Sequence, residues 1–416
     1  MKRHGAALRS RALAGKTTGG KPSGRGQAGL DTRVSVALLS VALAFALPGA
    51  AASEDGVTVD RILFGQSAAL SGPAAELGIE MRRGIAAAFA EANASGGIGG
   101  RHLDLVSRDD RYEPEAAIAN TQGLIAEDKV FALIGEVGTP TSAAAEPIAR
   151  AAGVPFIAPF TGAEFLRDPA LTNVVNVRAS YFEETETIVE RLVTDAGASR
   201  IGVLYQDDSY GRSGLAGVMG ALERRDMTLA GAGTYFRNTT AVKTALLGLR
   251  GVRPDAIIVI GAYLPSAVFT QWARKLGVDA LIVNISFVGA NALADALGPA
   301  GDGVYVTQVV PFPDGDAMPV LAEYRAALAA HDPLAEPGFG SLEGYIAGRL
   351  TVDVLRRLGP EPTRAAFLGA LAGVGAFDIG GFALRYGPGD NRGSDQVFLT
   401  MIRGDGSIVP VEAIGR

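Results

Sequence analysis

After a long basic and apolar lead, short apolar runs alternate with longer segments whose apolar residues recur every three to four positions. Residues 61–65 read as a strand, and Met81, Ile85, Phe89 and Ala92 then fall at helical spacing before the breaker Ser95-Gly96-Gly97-Ile98-Gly99-Gly100. A strand over 102–106 runs into the polar Arg108-Asp109-Asp110 turn, a helix is predicted over 114–128, a buried strand over 130–135, a helix over 142–152 and a strand over 154–158. That series predicts a doubly wound parallel sheet. A second series follows: helix 182–196, strand 200–205, helix 214–225, strand 229–234, helix 241–249, strand 256–260, helix 265–276 and strand 280–285. The chain then offers a strand over 304–309, helices over 321–330 and 343–358, and strands over 382–385 and 396–402. The fold class is therefore α/β with one architecture used twice, and a crevice is expected between the lobes at the carboxyl ends of their strands.

The first fifty residues are of a different kind. Eight basic residues precede Asp31 or lie just beyond it, from Lys2 to Arg33, and an apolar run over 34–47 ends at Pro48-Gly49-Ala50-Ala51-Ala52. About 14 apolar residues suit the hydrophobic region of a signal peptide and fall short of the roughly 20 that a spanning helix needs. Residues 1–52 are read as a signal peptide cleaved after Ala52. Its removal takes eight basic groups from 38 and one acid from 44, leaving 30 and 43 and a formal charge of −13. An acidic protein of this kind is a poor match for nucleic acid or an anionic membrane surface.

Candidate chemistry is sparse. There is no cysteine, which removes disulfides, thiol catalysis and a lipidated cysteine, and only three histidines are present. Neither a zinc-protease helix nor a serine-hydrolase elbow occurs, and Gly15-Lys16-Thr17-Thr18 lacks the upstream glycine and strand of a phosphate loop. No enzyme, cofactor or metal site is expected. Asp207 and Asp208 end a strand and point apart, so one is read as capping the next helix; Phe269, Trp272 and Leu276 form a core stripe.

The ordered motifs Gly65-Gln66-Ser67-Ala68-Ala69-Leu70-Ser71-Gly72-Pro73, Gly96-Gly97-Ile98-Gly99-Gly100-Arg101, Ser107-Arg108-Asp109-Asp110, Val154-Pro155-Phe156-Ile157-Ala158-Pro159 and Tyr205-Gln206-Asp207-Asp208-Ser209-Tyr210-Gly211 resemble the type I periplasmic binding proteins. The nearest likeness is to the branched-chain amino-acid (leucine/isoleucine/valine-binding) family of ABC transporters, over about residues 60–405. The resemblance implies two Rossmann-like lobes joined by three hinge crossovers, with lobe one at 57–178 plus 306–383 and lobe two at 179–305 plus 384–412. It implies a monomeric periplasmic protein that closes on a small carboxylate-bearing ligand, an amino acid or related organic acid, and delivers it to an inner-membrane ABC permease. A ligand-sensing module docking to a membrane receptor or regulator is the alternative on the same fold.

Residue by residue, the resemblance puts the ligand carboxylate on two lobe-one loops, 135–141 and 159–163, with Thr139, Phe160, Thr161 and Gly162. Thr139 before Pro140 also reads as a helix N-cap, and both threonines have a purely capping alternative. The aromatic walls fall at Tyr210, Tyr263 and Tyr345, each alternatively a core or rim tyrosine. Phe287 stands where the leucine binders carry the acid that pairs with the ligand ammonium. Either Glu136, Asp208 or Glu343 takes that role, or the ligand has no amine. Tyr112 and Gly138 stand near the family's cysteine pair.

Overall fold

The computed structural model describes residues 54–415, so the signal segment lies outside the described residues. The first series comprises β1 (Arg61–Ala68), α1 (Ala75–Ala94), β2 (His102–Asp109), α2 (Pro114–Ala126), β3 (Ala132–Ile134), α3 (Thr139–Ala151), β4 (Phe156–Ile157) and β5 (Val174–Val175). The second comprises α4 (Tyr181–Thr194), β6 (Ile201–Gln206), α5 (Ser209–Glu223), β7 (Gly231–Tyr235), α6 (Lys243–Gly251), β8 (Ala256–Ile260), α7 (Tyr263–Lys275), β9 (Leu281–Asn284), α8 (Ala290–Leu297) and β10 (Val304–Gln308). The remaining chain forms α9 (Pro319–His331), α10 (Phe339–Leu358), α11 (Arg364–Val374), β11 (Ala376–Ile379), β12 (Phe382–Gly387), β13 (Asp390–Gly393), β14 (Phe398–Ile402) and β15 (Ile408–Pro410).

The first sheet has the order β2-β1-β3-β4-β5, all parallel. The second runs β7-β6-β8-β9-β10 in parallel and then adds β14, antiparallel to β10, and β15, antiparallel to β14. The two parallel orders are the same, 2-1-3-4-5 in each lobe, with the switch point between the first and third strands. The central strand β8 is apolar throughout because helices cover both faces: all five residues of Ala-Ile-Ile-Val-Ile are buried.

Three crossovers join the lobes, at 176–180, 309–318 and 394–397. The expected breaks at 305/306 and 383/384 fall inside strands and are corrected. β10 pairs over its whole length with β14 in the second sheet, and β12 pairs with β11 and β13 in a small three-stranded sheet. That sheet is tied back to the first lobe, where Asn176 N–H donates to the Asn391 carbonyl at 2.9 Å. A ladder of backbone hydrogen bonds resists division, so the chain changes lobe only where pairing stops.

The return of α10 to lobe one depends on glycine. A Cβ on Gly84 of α1 would lie 1.8 Å from the Ser341 carbonyl oxygen, and one on Gly344 would lie 2.3 Å from the Met81 carbonyl oxygen. Only hydrogen at these positions lets α1 and α10 approach so closely, and that approach sets the face that α10 shows to the cleft. Helices α8 and α11, with the short strands β5, β11, β13 and β15, lie outside what the sequence pattern predicts. Among the described residues no helix is long and apolar enough to cross a membrane.

Candidate functional site

The two lobe-one loops expected to hold a ligand are stitched to each other by their backbones. Phe160 N–H donates to the Glu136 carbonyl at 2.7 Å, and Gly138 N–H donates to the Phe160 carbonyl at 3.2 Å. This brings Thr139 and Thr161 together, with their hydroxyl oxygens 2.7 Å apart. The Tyr181 hydroxyl, from the first turn of α4, lies 3.1 Å from Thr161 Oγ1 and 3.4 Å from Thr139 Oγ1. Gly162 makes room for it, since a Cβ there would sit 2.6 Å from a Tyr181 ring carbon. The N-cap of α3 is Gly138, at φ 107°, and the side chain of Thr139 does not cap. Thr139 is the first helical residue, so its hydroxyl is free of the helix end and turns to Thr161.

Rings from both lobes close over these hydroxyls. Phe287, in the short turn after β9, has its centroid 4.5 Å from Tyr210, 5.7 Å from Phe160 and 5.9 Å from Tyr112; Tyr181 lies 5.5 Å from Tyr210. Tyr210 is placed by Asp208, which accepts from the Tyr210 N–H at 3.0 Å as the cap of α5, while Asp207 turns outward to Arg212. Tyr112 packs on Gly138, and its hydroxyl accepts from Gln206 Nε2 of the other lobe at 3.3 Å. Tyr263 is buried at the start of α7 and meets the Glu76 backbone of the facing lobe.

Tyr345 is not brought to this cluster, and its expected place in the cleft is corrected. Its hydroxyl donates to Glu91 Oε2 at 2.8 Å, and its ring lies 5.6 Å from Tyr324. Two residues along a helix turn a side chain by about 200°, so Tyr345 and Glu343 leave α10 on nearly opposite sides. Glu343 and Phe339, one turn apart, line the cleft together with Gly340.

The sequence pattern missed the centre of the site's electrostatics, Arg178 on the first crossover. Arg178 is buried, as are Glu184 and Glu343, whose carboxylates lie 3.8 and 3.6 Å from its guanidinium. Glu184 is fully engaged: it accepts from the Ser286 N–H at 2.8 Å, the Ser286 hydroxyl at 2.9 Å and the Thr307 hydroxyl at 2.6 Å. Burial pushes the Glu343 carboxyl up to about 7 against the opposing pull of Arg178. Burial works against the charge on Arg178, but Glu343 and Glu184 outweigh it and keep the guanidinium protonated. The guanidinium also lies over the Phe160 ring, 4.7 Å from its centroid. In sequence Arg178 stands between the apolar Val177 and Ala179, two positions before the helix cap Ser180, and that apolar flanking is the local sign of its burial.

Of the three acids considered as substitutes at the Phe287 position, Asp208 is occupied by its cap, by Gln206 and by Arg237 at 3.2 Å. Glu136 is buried beside Asp110, and burial raises it well above the usual carboxylate range. Glu343 alone lines the cleft cavity, a space of about 30 Å³ bounded by Leu77, Phe160, Ser286, Gln308, Phe339 and Glu343. A wider recess of about 610 Å³ shares Glu76, Glu80 and Phe339 with it and leads to the surface. At the opposite margin Arg237 of lobe two binds Glu113 of lobe one at 2.8 Å, and Asn238 donates to Glu113 at 2.8 Å and to the Arg111 carbonyl at 3.0 Å.

Hydroxyls, rings and one buried guanidinium can hold and enclose a small molecule; among the described residues no group of three or more His, Cys, Asp or Glu is placed to hold a metal ion. Residues 62–407 match the family described as periplasmic binding protein. The chain is 26% identical over 334 residues to Leu/Ile/Val-binding protein homolog 7 of Brucella suis biovar 1 (strain 1330), an alignment covering 77% of this chain and 82% of that one. Its fold superposes on a possible leucine/isoleucine/valine-binding protein from Rhodopirellula baltica SH 1 with a TM-score of 0.81 and 40% identity, covering 87% of this chain and 98% of that one. A substrate-binding periplasmic protein from Ralstonia solanacearum gives a TM-score of 0.79 and 31% identity over 84% of this chain and 100% of that one. With its duplicated lobes and enclosed cleft, the chain belongs to the periplasmic binding protein family, as a non-enzymatic type I solute-binding protein of the leucine/isoleucine/valine-binding branch.

Proposed function

We propose that this protein is the solute receptor of an ABC importer, secreted through a cleavable segment at 1–52 and acting as a monomer, and that its ligand is a small carboxylate-bearing molecule, an amino acid or related organic acid. One observation carries the ligand class: the buried hydroxyls of Thr139, Thr161 and Tyr181, contributed by both lobes, converge on one point of the cleft. Buried hydroxyls that can each donate suit an anionic oxygen pair, which needs several short hydrogen bonds when it leaves water. The names of the relatives from Brucella suis and Rhodopirellula baltica support the same size of ligand. No nucleophile or base is required, because lobe closure is the whole of the work.

A thermal-shift screen with amino acids and organic acids, followed by calorimetry, is the test. The expected result is that at least one small carboxylate raises the melting temperature and that Thr139→Ala with Thr161→Ala weakens it at least tenfold. Indifference of the double variant to that substitution, or a screen in which no carboxylate binds, sinks the assignment.

A further inference from the structure

The hydroxyl cluster accounts for one end of a ligand and leaves a second set of buried polar atoms unused. Arg178 Nε and Nη1 and Glu343 Oε1 have no hydrogen-bond partner although all three atoms are buried. Nη1 and Oε1 lie 3.6 Å apart, which is an ion-pair distance and too long for a hydrogen bond, so the donor and the acceptor both keep their capacity. The neighbouring groups are engaged: Arg178 Nη2 donates to the Ser286 hydroxyl, and Glu184 accepts from Ser286 and Thr307. Phe160 and Ser286, which touch the guanidinium, and Glu343 all line the cleft cavity, and the wider recess continues from it to the surface.

We infer that Arg178 and Glu343 form a second polar anchor in the cleft, one that takes a neutral group presenting a carbonyl oxygen and an N–H or O–H on the same edge, above all a primary carboxamide. The inference rests on the reading that the cleft holds a carboxylate-bearing ligand and extends it to a ligand with two polar ends. The chemistry follows from charge. The buried set holds two guanidinium groups, Arg178 and Arg167, whose Nη2 donates to the Arg178 carbonyl at 2.8 Å, and two carboxylates, Glu184 and Glu343, so it is close to balanced and an added charge of either sign would unbalance it in a place where charge is poorly solvated. A carboxamide adds no charge: its oxygen accepts from the guanidinium while its N–H donates to Glu343. It thereby satisfies two groups whose lack of partners otherwise opposes closure. An apolar group at the same place would leave both unsatisfied, which makes the pair discriminating and not only attractive.

The experiment is calorimetry on the purified full-length mature chain with three matched straight-chain series of three to eight carbons: monocarboxylates, ω-carboxamide acids and diacids. At one chain length or more the ω-carboxamide acid is expected to bind at least tenfold tighter than the monocarboxylate of the same length and tighter than the diacid. Glu343→Leu is expected to bring the ratio of carboxamide to monocarboxylate close to one, whereas Glu343→Gln, which keeps an acceptor oxygen, retains most of it. Equal affinity of the two series in the wild-type protein overturns the anchor while the carboxylate reading survives. Failure of all three series overturns both. A ratio that persists in Glu343→Leu also overturns it. The wild-type comparison stands even where a variant folds poorly.

Discussion

Replacing Phe287 by alanine separates closure from stability. Phe287 is fully buried in the turn after β9 and belongs to lobe two, yet two of its three ring partners, Phe160 and Tyr112, stand on lobe one at 5.7 and 5.9 Å. Each aromatic pair contributes about 0.5–1.5 kcal/mol beyond area burial, so removing the two cross-lobe pairs weakens closure by about 1–3 kcal/mol. At about 1.4 kcal/mol per factor of ten, the closed-to-open ratio falls between about fivefold and about 150-fold. The third partner, Tyr210 at 4.5 Å, lies on the same lobe, and its loss with the rest of the ring shows as lower stability within the roughly 3–5 kcal/mol typical of a buried phenylalanine truncated to alanine. The absence of cysteine gives a clean assay. Glu115→Cys and Met219→Cys, both at exposed positions on different lobes, carry spin labels whose separation reports opening. The expected result for Phe287→Ala without ligand is a longer mean label distance and a larger radius of gyration by X-ray scattering, with Phe287→Leu between it and wild type. If melting falls but the label distance does not move, the rings are filling a core and do not hold the lobes together.

The Arg237–Glu113 contact should behave as a clasp: both residues are partly exposed, so a double-alanine cycle on ligand affinity is expected to give a coupling of about 0.5–1 kcal/mol that shrinks in high salt. Gly84→Ala, whose Cβ would meet the Ser341 carbonyl oxygen at 1.8 Å, is expected to lower stability by about 2–3 kcal/mol or more in denaturant melts, and an unchanged midpoint would show that α1 and α10 can part freely. Burial pushes the Asp110 carboxyl up from 3.8 to about 6, so the native state binds the extra proton and this residue's contribution to stability declines as pH rises through that window, by about 3 kcal/mol in all. Melts at pH 4 and pH 7.5 check this, since Asp110→Asn should remove that decline relative to wild type while Ser67, its partner at 2.7 Å, remains.

Much of the scaffold was legible because it is written in periodicity. Apolar strands such as 256–260 and the helical spacing of Met81, Ile85 and Phe89 are local signals, and each found its place in a strand or helix of the structure. The duplication was legible for the same reason, since the two series repeat the same alternation. What local pattern could not show was which face of a helix meets the cleft. Tyr345 and Glu343 are two residues apart on α10, and only the close packing against α1 through Gly84 and Gly344 turns Glu343 inward and Tyr345 toward Glu91 and Tyr324.

The amino-acid sequence by itself determined the α/β class, the doubled lobe, the lack of thiol chemistry and the segments after β3 and β4 that carry Thr139, Phe160, Thr161 and Gly162, because each of these is set by neighbours along the chain. The tertiary structure alone decided that Thr139 turns from its helix end to Thr161 and Tyr181, that Phe287 meets Phe160 across the cleft, and that Arg178 sits buried between Glu184 and Glu343. Arg178 and Glu343 are 165 positions apart in sequence. Their meeting depends on the path of the crossovers and the rotation of α10, and a buried charge can be recognised as such only when every group that surrounds it is known.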